Sequence, residues 1–305
     1  MEKGTVIKST GSWYIVRLSG GKTVECRIRG RFRMEGMRTT NPVAVGDEVH
    51  VETGAEGSVI TAIEPRRNYI IRRSTNLSKE SHIIASNVDR AMLIVTVNHP
   101  VTSTVFIDRF LATAEAYSIP AILVFNKLDI YDEEDRALMG GLVMIYRRAG
   151  YESHIVSAAT GENVDALRGA LRGRTTVLAG LSGVGKSTLI NAIEPGLHLR
   201  TAAISATHDA GRHTTTFAEM FPLSGGGCII DTPGVRSFGT VDMGKEEISH
   251  FFPEIFACAK DCRFSDCTHT HEPGCAVRAA VESGDVSESR YASYLSMLEE
   301  SGKYR

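Results

Sequence analysis

At 305 residues, with 42% apolar and 23% charged residues, the chain has the composition of a globular protein with room for two or three domains. No apolar run approaches the ~20 residues that a membrane-spanning helix needs, and the opening "MEKGTVIKST" lacks the apolar core of a signal peptide, so a cytoplasmic protein outside the membrane is expected. A net charge of −2 excludes a chain that is basic throughout, but the charge is uneven: residues 1–73 hold 13 Lys/Arg against 8 Asp/Glu.

Residues 1–63 carry five short β-branched or aromatic runs: "TVIK" (5–8), "WYIVRL" (13–18), "TVECRI" (23–28), "EVHV" (48–51) and "SVITAI" (58–63). Turn signals at Gly20–Gly21, Asn41–Pro42 and 45–47 separate them, which predicts a small antiparallel barrel over 1–65, an OB-fold being one such solution. Arg27, Arg29, Arg31 and Arg33 alternate and would share a face if the strand continues. That face is either a solvated strand surface or an RNA-phosphate patch. "EPRRN" (64–68) reads as a linker.

From about residue 86 the pattern changes to strands alternating with helices. "AMLIVTV" (91–97) precedes a helical run at 104–118, "AILVF" (121–125) an acidic helix start at Asp132–Asp135, and "HIVSA" (154–158) the run 163–171. "TVLAG" (176–180) precedes 186–193, and "GCIID" (227–231) closes the series. This predicts a central α/β domain over 66–240 with a mostly parallel sheet, whose ligands bind at the carboxyl ends of the strands.

The motifs fall at those ends. In "NKLD", Asp129 can accept hydrogen bonds from guanine N1–H and its exocyclic amine, which adenine cannot supply. Asn126 can bond the major-groove edge of the base and the stem of Lys127 can cover its face. Alone, the tetrapeptide also reads as a helix cap after a strand. "SAA", with Ser157 and Ala158, can offer backbone N–H groups to guanine O6. The stretch Gly180, Leu181, Ser182, Gly183, Val184, Gly185, Lys186, Ser187 and Thr188 is a phosphate loop in strand–loop–helix context; the alternative is a chance glycine-rich turn. Lys186 would meet the β- and γ-phosphates and Ser187 a Mg²⁺ ion. In "DTPG", Asp231 fits a carboxylate on the Mg²⁺ side and the N–H of Gly234 a γ-phosphate sensor. The next residue, Val235, cannot orient a water as glutamine does in ordinary small GTPases.

Four of the six cysteines, Cys258, Cys262, Cys267 and Cys275, cluster in the last domain, 241–305, which predicts a metal rather than disulfides. Cys262, Cys267, His269 and Cys275 form a quartet of structural-zinc type, with Cys258 and His271 as spare candidates. Tyr291, Tyr294, Leu295 and Leu298 share one face of a helix, and a piece this small needs a metal or a neighbour to be stable.

The order base reader, "SAA", phosphate loop, "HTTT", "DTPG" is the usual GTPase cycle opened at a different point. With a barrel-like start and a zinc-type end, the whole chain resembles the ribosome-small-subunit-dependent GTPase family (RsgA, also called YjeQ). The resemblance implies an N-terminal OB-fold, a circularly permuted P-loop GTPase domain and a small helical zinc domain holding one structural Zn²⁺. It implies hydrolysis of GTP to GDP with Mg²⁺, stimulated by the 30S subunit and its rRNA late in subunit maturation, by a monomer. It further favours His213 as the residue that places or deprotonates water, a structural histidine being the alternative, and Thr215, of Thr214–Thr216, as a Mg²⁺ ligand beside Ser187 and Asp231. Competing readings are an RNA-binding module gated by nucleotide, with incidental hydrolysis, and a permuted GTPase of large-subunit assembly.

Overall fold

The computed structural model describes residues 1–10, 12–28, 42–54, 57–73, 81–197, 218–231 and 243–301. In chain order these form β1 (Glu2–Ser9), β2 (Tyr14–Leu18), β3 (Thr23–Ile28), β4 (Glu48–Gly54), β5 (Gly57–Ile63), β6 (Tyr69–Arg73), β7 (Ser81–Ser86), β8 (Arg90–Val95), α1 (Thr104–Ala116), β9 (Ala121–Phe125), α2 (Glu133–Arg148), β10 (Glu152–Ile155), α3 (Val164–Leu171), β11 (Thr175–Ala179), α4 (Lys186–Ile193), β12 (Glu219–Pro222), β13 (Cys228–Asp231), α5 (Pro253–Ala259), α6 (Ala276–Glu282) and α7 (Glu288–Ser301). They group into two compact units: 1–92 with 164–180 and 186–240, and 93–163 with 181–185 and 241–305.

In the first unit β1 pairs antiparallel with β2 and β4, β2 with β3, and β4 with β5. A parallel β3–β5 pairing then closes a five-stranded barrel that is otherwise antiparallel, as expected. Alternation along β2 sends Tyr14, Val16 and Leu18 inward, where they pack with Val6, Cys26, Val49, Val51 and Ile60. Apolar burial raises the Cys26 thiol to about 11, so it behaves as a small inert hydrophobe.

The stretch expected to be a linker is locked in place. Arg66 donates to both oxygens of the fully buried Asp47, each at 2.6 Å, and to the Pro42 carbonyl at 2.8 Å. Asp47 also accepts from Ser86 Oγ at 2.6 Å and Ala44 N–H at 2.8 Å. An antiparallel β6–β7 hairpin follows, which the sequence pattern did not predict. Beyond it β11 and β13 run parallel, with β12 antiparallel to β13 and touching β1, where Lys8 pairs with Glu219 at 3.0 Å.

In the second unit β9 and β10 pair in parallel. Asp132 caps α2 by accepting from Asp135 N–H at 2.9 Å. Acidic residues in its first turn and Arg147 and Arg148 in its last complement the helix dipole. The C-terminal region packs on α1: Ala112 of α1 shares a core with Ile248, Phe252, Ile255, Val277, Tyr294 and Leu298, and Tyr291 and Leu295 lie half-buried against it. Among the described residues no helix is long and apolar enough to cross a membrane.

Candidate functional site

The end of β9 delivers the tetrapeptide "NKLD". Asn126 is buried, with its carboxamide fully engaged: Nδ2 donates to the Val184 carbonyl at 2.9 Å and Oδ1 accepts the Ala158 N–H at 3.0 Å. One side chain thus ties "NKLD", "SAA" and the phosphate loop together. Lys127 takes the left-handed conformation (φ 71°) that turns the chain into a single 3-10 turn, and its ammonium bonds the His99 carbonyl. Asp129 is exposed, with Oδ1 receiving the Ser157 hydroxyl at 2.6 Å.

The phosphate loop joins β11 to α4. Gly185 has φ +94°, and a Cβ there would stand 2.5 Å from Asn126 Nδ2, so a side chain is excluded on conformation and on space. Lys186 Nζ donates to the Gly180 carbonyl at 2.8 Å. Burial lowers the Lys186 ammonium and raises the Asp231 carboxyl, and each opposes the shift of the other. A half-buried carboxylate of this kind gains from a further cation. Ser187 and Thr188 open α4. His213, Thr214, Thr215, Thr216, Gly234 and Val235, like Arg29, Arg31 and Arg33, lie outside the described residues.

The cysteine-rich stretch brings four ligand atoms, from Cys262, Cys267, His269 and Cys275, within 4.8 Å of one another. His269 Nδ1 is 3.5 Å from the sulfurs of both Cys262 and Cys275, which are themselves 3.9 Å apart. Tetrahedral zinc with Zn–S of ~2.3 Å separates its sulfurs by ~3.8 Å, so the set fits that ion in donor type and in spacing. Burial, with the Cys275 and Cys262 thiols alongside, pushes the Cys267 thiol up to about 12. A dication reverses that cost. Cys258 and His271 are not in the group; His271 Nδ1 instead bonds Thr270 Oγ1 at 2.8 Å.

A family model described as RsgA GTPase matches residues 63–241. The chain belongs to the RsgA GTPase family. A second model, the RsgA N-terminal domain, matches residues 3–60. The RsgA protein of Bacteroides fragilis, named a small ribosomal subunit biogenesis GTPase, is 60% identical over 306 residues, 99% of each chain. Its namesake in Porphyromonas gingivalis is 56% identical over 308 residues, 99% of this chain and 98% of that one. YjeQ from Thermotoga maritima superposes with a TM-score of 0.81 at 36% identity, covering 100% of this chain and 99% of its own. YloQ, described as a circularly permuted GTPase, gives 0.75 at 30% identity, with 100% and 96% covered.

Sequence reading missed two supports that this RsgA-family site contains. The buried Tyr131 hydroxyl donates to the Asn126 carbonyl at 2.8 Å and accepts the Val97 N–H at 3.1 Å, tying the ends of β8 and β9. Arg136 of α2 donates to the carbonyls of Leu128 and Tyr131 at 3.1 and 3.0 Å, clamping the loop that follows β9. The only signal for either was a polar-tipped residue shortly after "NKLD".

Proposed function

We propose that this RsgA-family protein hydrolyses GTP to GDP and phosphate and serves the late biogenesis of the small ribosomal subunit. The observation that carries the reading is the Asn126 carboxamide between the Val184 carbonyl and the Ala158 N–H. It joins the three nucleotide motifs in the permuted order, in a chain 60% identical to a small ribosomal subunit biogenesis GTPase.

In this reading Asp129 accepts the N1–H and exocyclic amine of guanine while the Ser157 hydroxyl orients it. The stem of Lys127 covers the base face, and Ala158 and its neighbours lie near O6. The loop Gly180–Thr188 holds the phosphates through backbone N–H groups, with Lys186 on the β- and γ-oxygens. Ser187, Asp231 through a water and Thr215 would hold the Mg²⁺ that offsets phosphate charge. Gly234 senses the γ-phosphate. Val235 cannot orient water, so His213 does so, and it becomes competent when the 30S particle and its rRNA engage the protein. Cys262, Cys267, His269 and Cys275 hold one structural Zn²⁺ with no open position. The same reading makes the protein cytoplasmic, and monomeric off the subunit.

The test is GTP hydrolysis by the purified protein alone, with isolated 30S particles and with 50S particles. Acceleration by 30S alone is expected; equal rates in all three would overturn the proposal. His213→Ala is expected to keep GTP binding and lose the stimulated rate.

A further inference from the structure

α7 grips two things at once. Tyr291 and Tyr294 donate their hydroxyls to the carbonyls of His269 and Thr268, at 2.5 and 2.8 Å, holding the cysteine-rich knuckle. Immediately before Tyr291 in sequence, Arg290 is 1% exposed. Its Nη1 donates to Asp108 Oδ1 at 2.9 Å, while Nε and Nη2 donate to the two oxygens of Glu254 at 2.6 and 3.0 Å. The guanidinium also lies over the Phe252 ring, 4.6 Å from its centroid. Asp108 is fully buried in the second turn of α1.

An apolar contact would hold α1 to α7 about as firmly, because burying ions costs much of what their attraction returns. What the guanidinium fork adds is register: it accepts one arrangement of Asp108 and Glu254 and resists sliding between helices. α1 begins where the 96–103 turn ends. That turn is closed by Thr96 Oγ1 donating to the Pro100 carbonyl at 2.6 Å and by Thr102 N–H donating to the Thr96 carbonyl at 2.9 Å. Its His99 carbonyl receives the Lys127 ammonium, and Pro100 Cδ lies 3.6 Å from the Cβ position of Gly183. A shift of α1 along α7 therefore moves a turn that bonds the base-reading loop and leaves little room beside Gly183 of the phosphate loop.

We propose that Arg290 is a positioning residue for nucleotide binding: through Asp108 it sets α1, and through α1 the 96–103 turn, so that the cysteine-rich region and guanine-nucleotide affinity are linked. This rests on the GTP-binding reading above. The test uses full-length protein with Arg290→Lys, which keeps the charge but loses the planar fork, and the triple variant D108N/E254Q/R290M, which stays packed without an unpaired buried charge should the single variant fail to fold. Fluorescent GDP titration and amide hydrogen exchange are read side by side. Expected are a GDP Kd raised about tenfold, within the usual range of intramolecular coupling, and faster exchange across 96–103 and 126–131 at unchanged metal content. A folded variant with wild-type Kd, and with exchange altered only in α5 and α7, would mean that Arg290 merely packs, and the proposal fails. If the wild-type protein itself binds no GDP, the nucleotide reading falls, and exchange across 96–103 still decides whether Arg290 sets that turn.

Discussion

Asn126 holds Val184 across 58 residues of sequence, its amide nitrogen 2.9 Å from the carbonyl oxygen. Both groups are buried, so removing the carboxamide strands two backbone partners at once, the Val184 carbonyl and the Ala158 N–H. Each stranded group costs about 1–3 kcal/mol. Asn126→Ala should therefore lower the thermal midpoint by several degrees and weaken GDP binding together. Gly185→Ala should do the same from the other side, because its methyl would stand 2.5 Å from Asn126 Nδ2 and push it away. Differential scanning fluorimetry with and without GDP checks both, and an unshifted midpoint in Asn126→Ala would refute the staple.

Asp129 and Ser157 should differ in their effects on specificity. Asn in place of Asp129 turns one acceptor into a donor that faces guanine's own donors. About a hundredfold loss of GDP affinity is expected, with affinity gained for xanthosine diphosphate, whose C2 carries a carbonyl. Ser157→Ala removes only the hydroxyl that orients Oδ1, so a loss of about five- to tenfold is expected with no change of base preference. Competition titrations with GDP, ADP and XDP separate the two outcomes.

Neighbouring arginines in the supposed linker should behave very differently. Arg66 covers the fully buried Asp47, and removing it leaves an unpaired carboxylate in the core. Arg66→Ala should cost about 3–5 kcal/mol. Arg67 reaches Asp89 at 2.8 Å, but its side chain is 62% exposed. Arg67→Ala should cost about 0–1 kcal/mol. Urea unfolding of the two variants, followed by the fluorescence of Trp13, gives the comparison; equal midpoints would show that the ion pair does not hold the barrel in place.

That pair also shows where the sequence could be read and where it could not. The bounds of β3, β9 and α4 follow from local pattern: alternation, a short apolar run between breakers, and a helix opened by a phosphate loop. "EPRRN" looks like a linker because charge and Pro signal exposure locally, while the buried partner of Arg66 lies 19 residues away. β10 ends at Ile155, earlier than the apolar run 154–158 suggests, because Val156–Ala158 are buried as a loop around Asn126. The Arg290–Asp108 contact spans 182 residues, and neither residue carries a local sign of it. The grouping of Cys262, Cys267, His269 and Cys275 was legible because its spacing is itself local, and the coordinates leave Cys258 and His271 out of that group.

For the cysteine-rich region the expected outcome is about one equivalent of tightly held zinc. Cys275 also caps α6, its sulfur accepting the Arg278 N–H at 3.5 Å. Cys275→Ser should therefore lose the metal and loosen the core around Val277 and Ile255. Cys258→Ser and His271→Ala should keep both. Metal analysis and far-UV circular dichroism read these directly, and full zinc in Cys275→Ser would exclude the quartet.

Lys186 and Asp231 predict opposite pH limits for nucleotide binding. Burial lowers the Lys186 ammonium below its ordinary 10.5, with Asp231 opposing. Phosphates raise it again, so binding takes up a proton at pH values above that lowered pKa, and affinity falls as pH rises through it, earlier than for a free lysine. Burial raises the Asp231 carboxyl above its ordinary 3.8, with Lys186 opposing. A cation on the nucleotide favours the ionised form, so at acid pH binding releases a proton, and affinity falls as pH drops through that raised value. Calorimetry of Mg²⁺-GDP binding in pairs of buffers with different ionisation enthalpies measures the protons exchanged. Uptake is expected on the alkaline side and release on the acid side, with little of either between. No uptake at alkaline pH would show that Lys186 meets the phosphates without any change in its protonation.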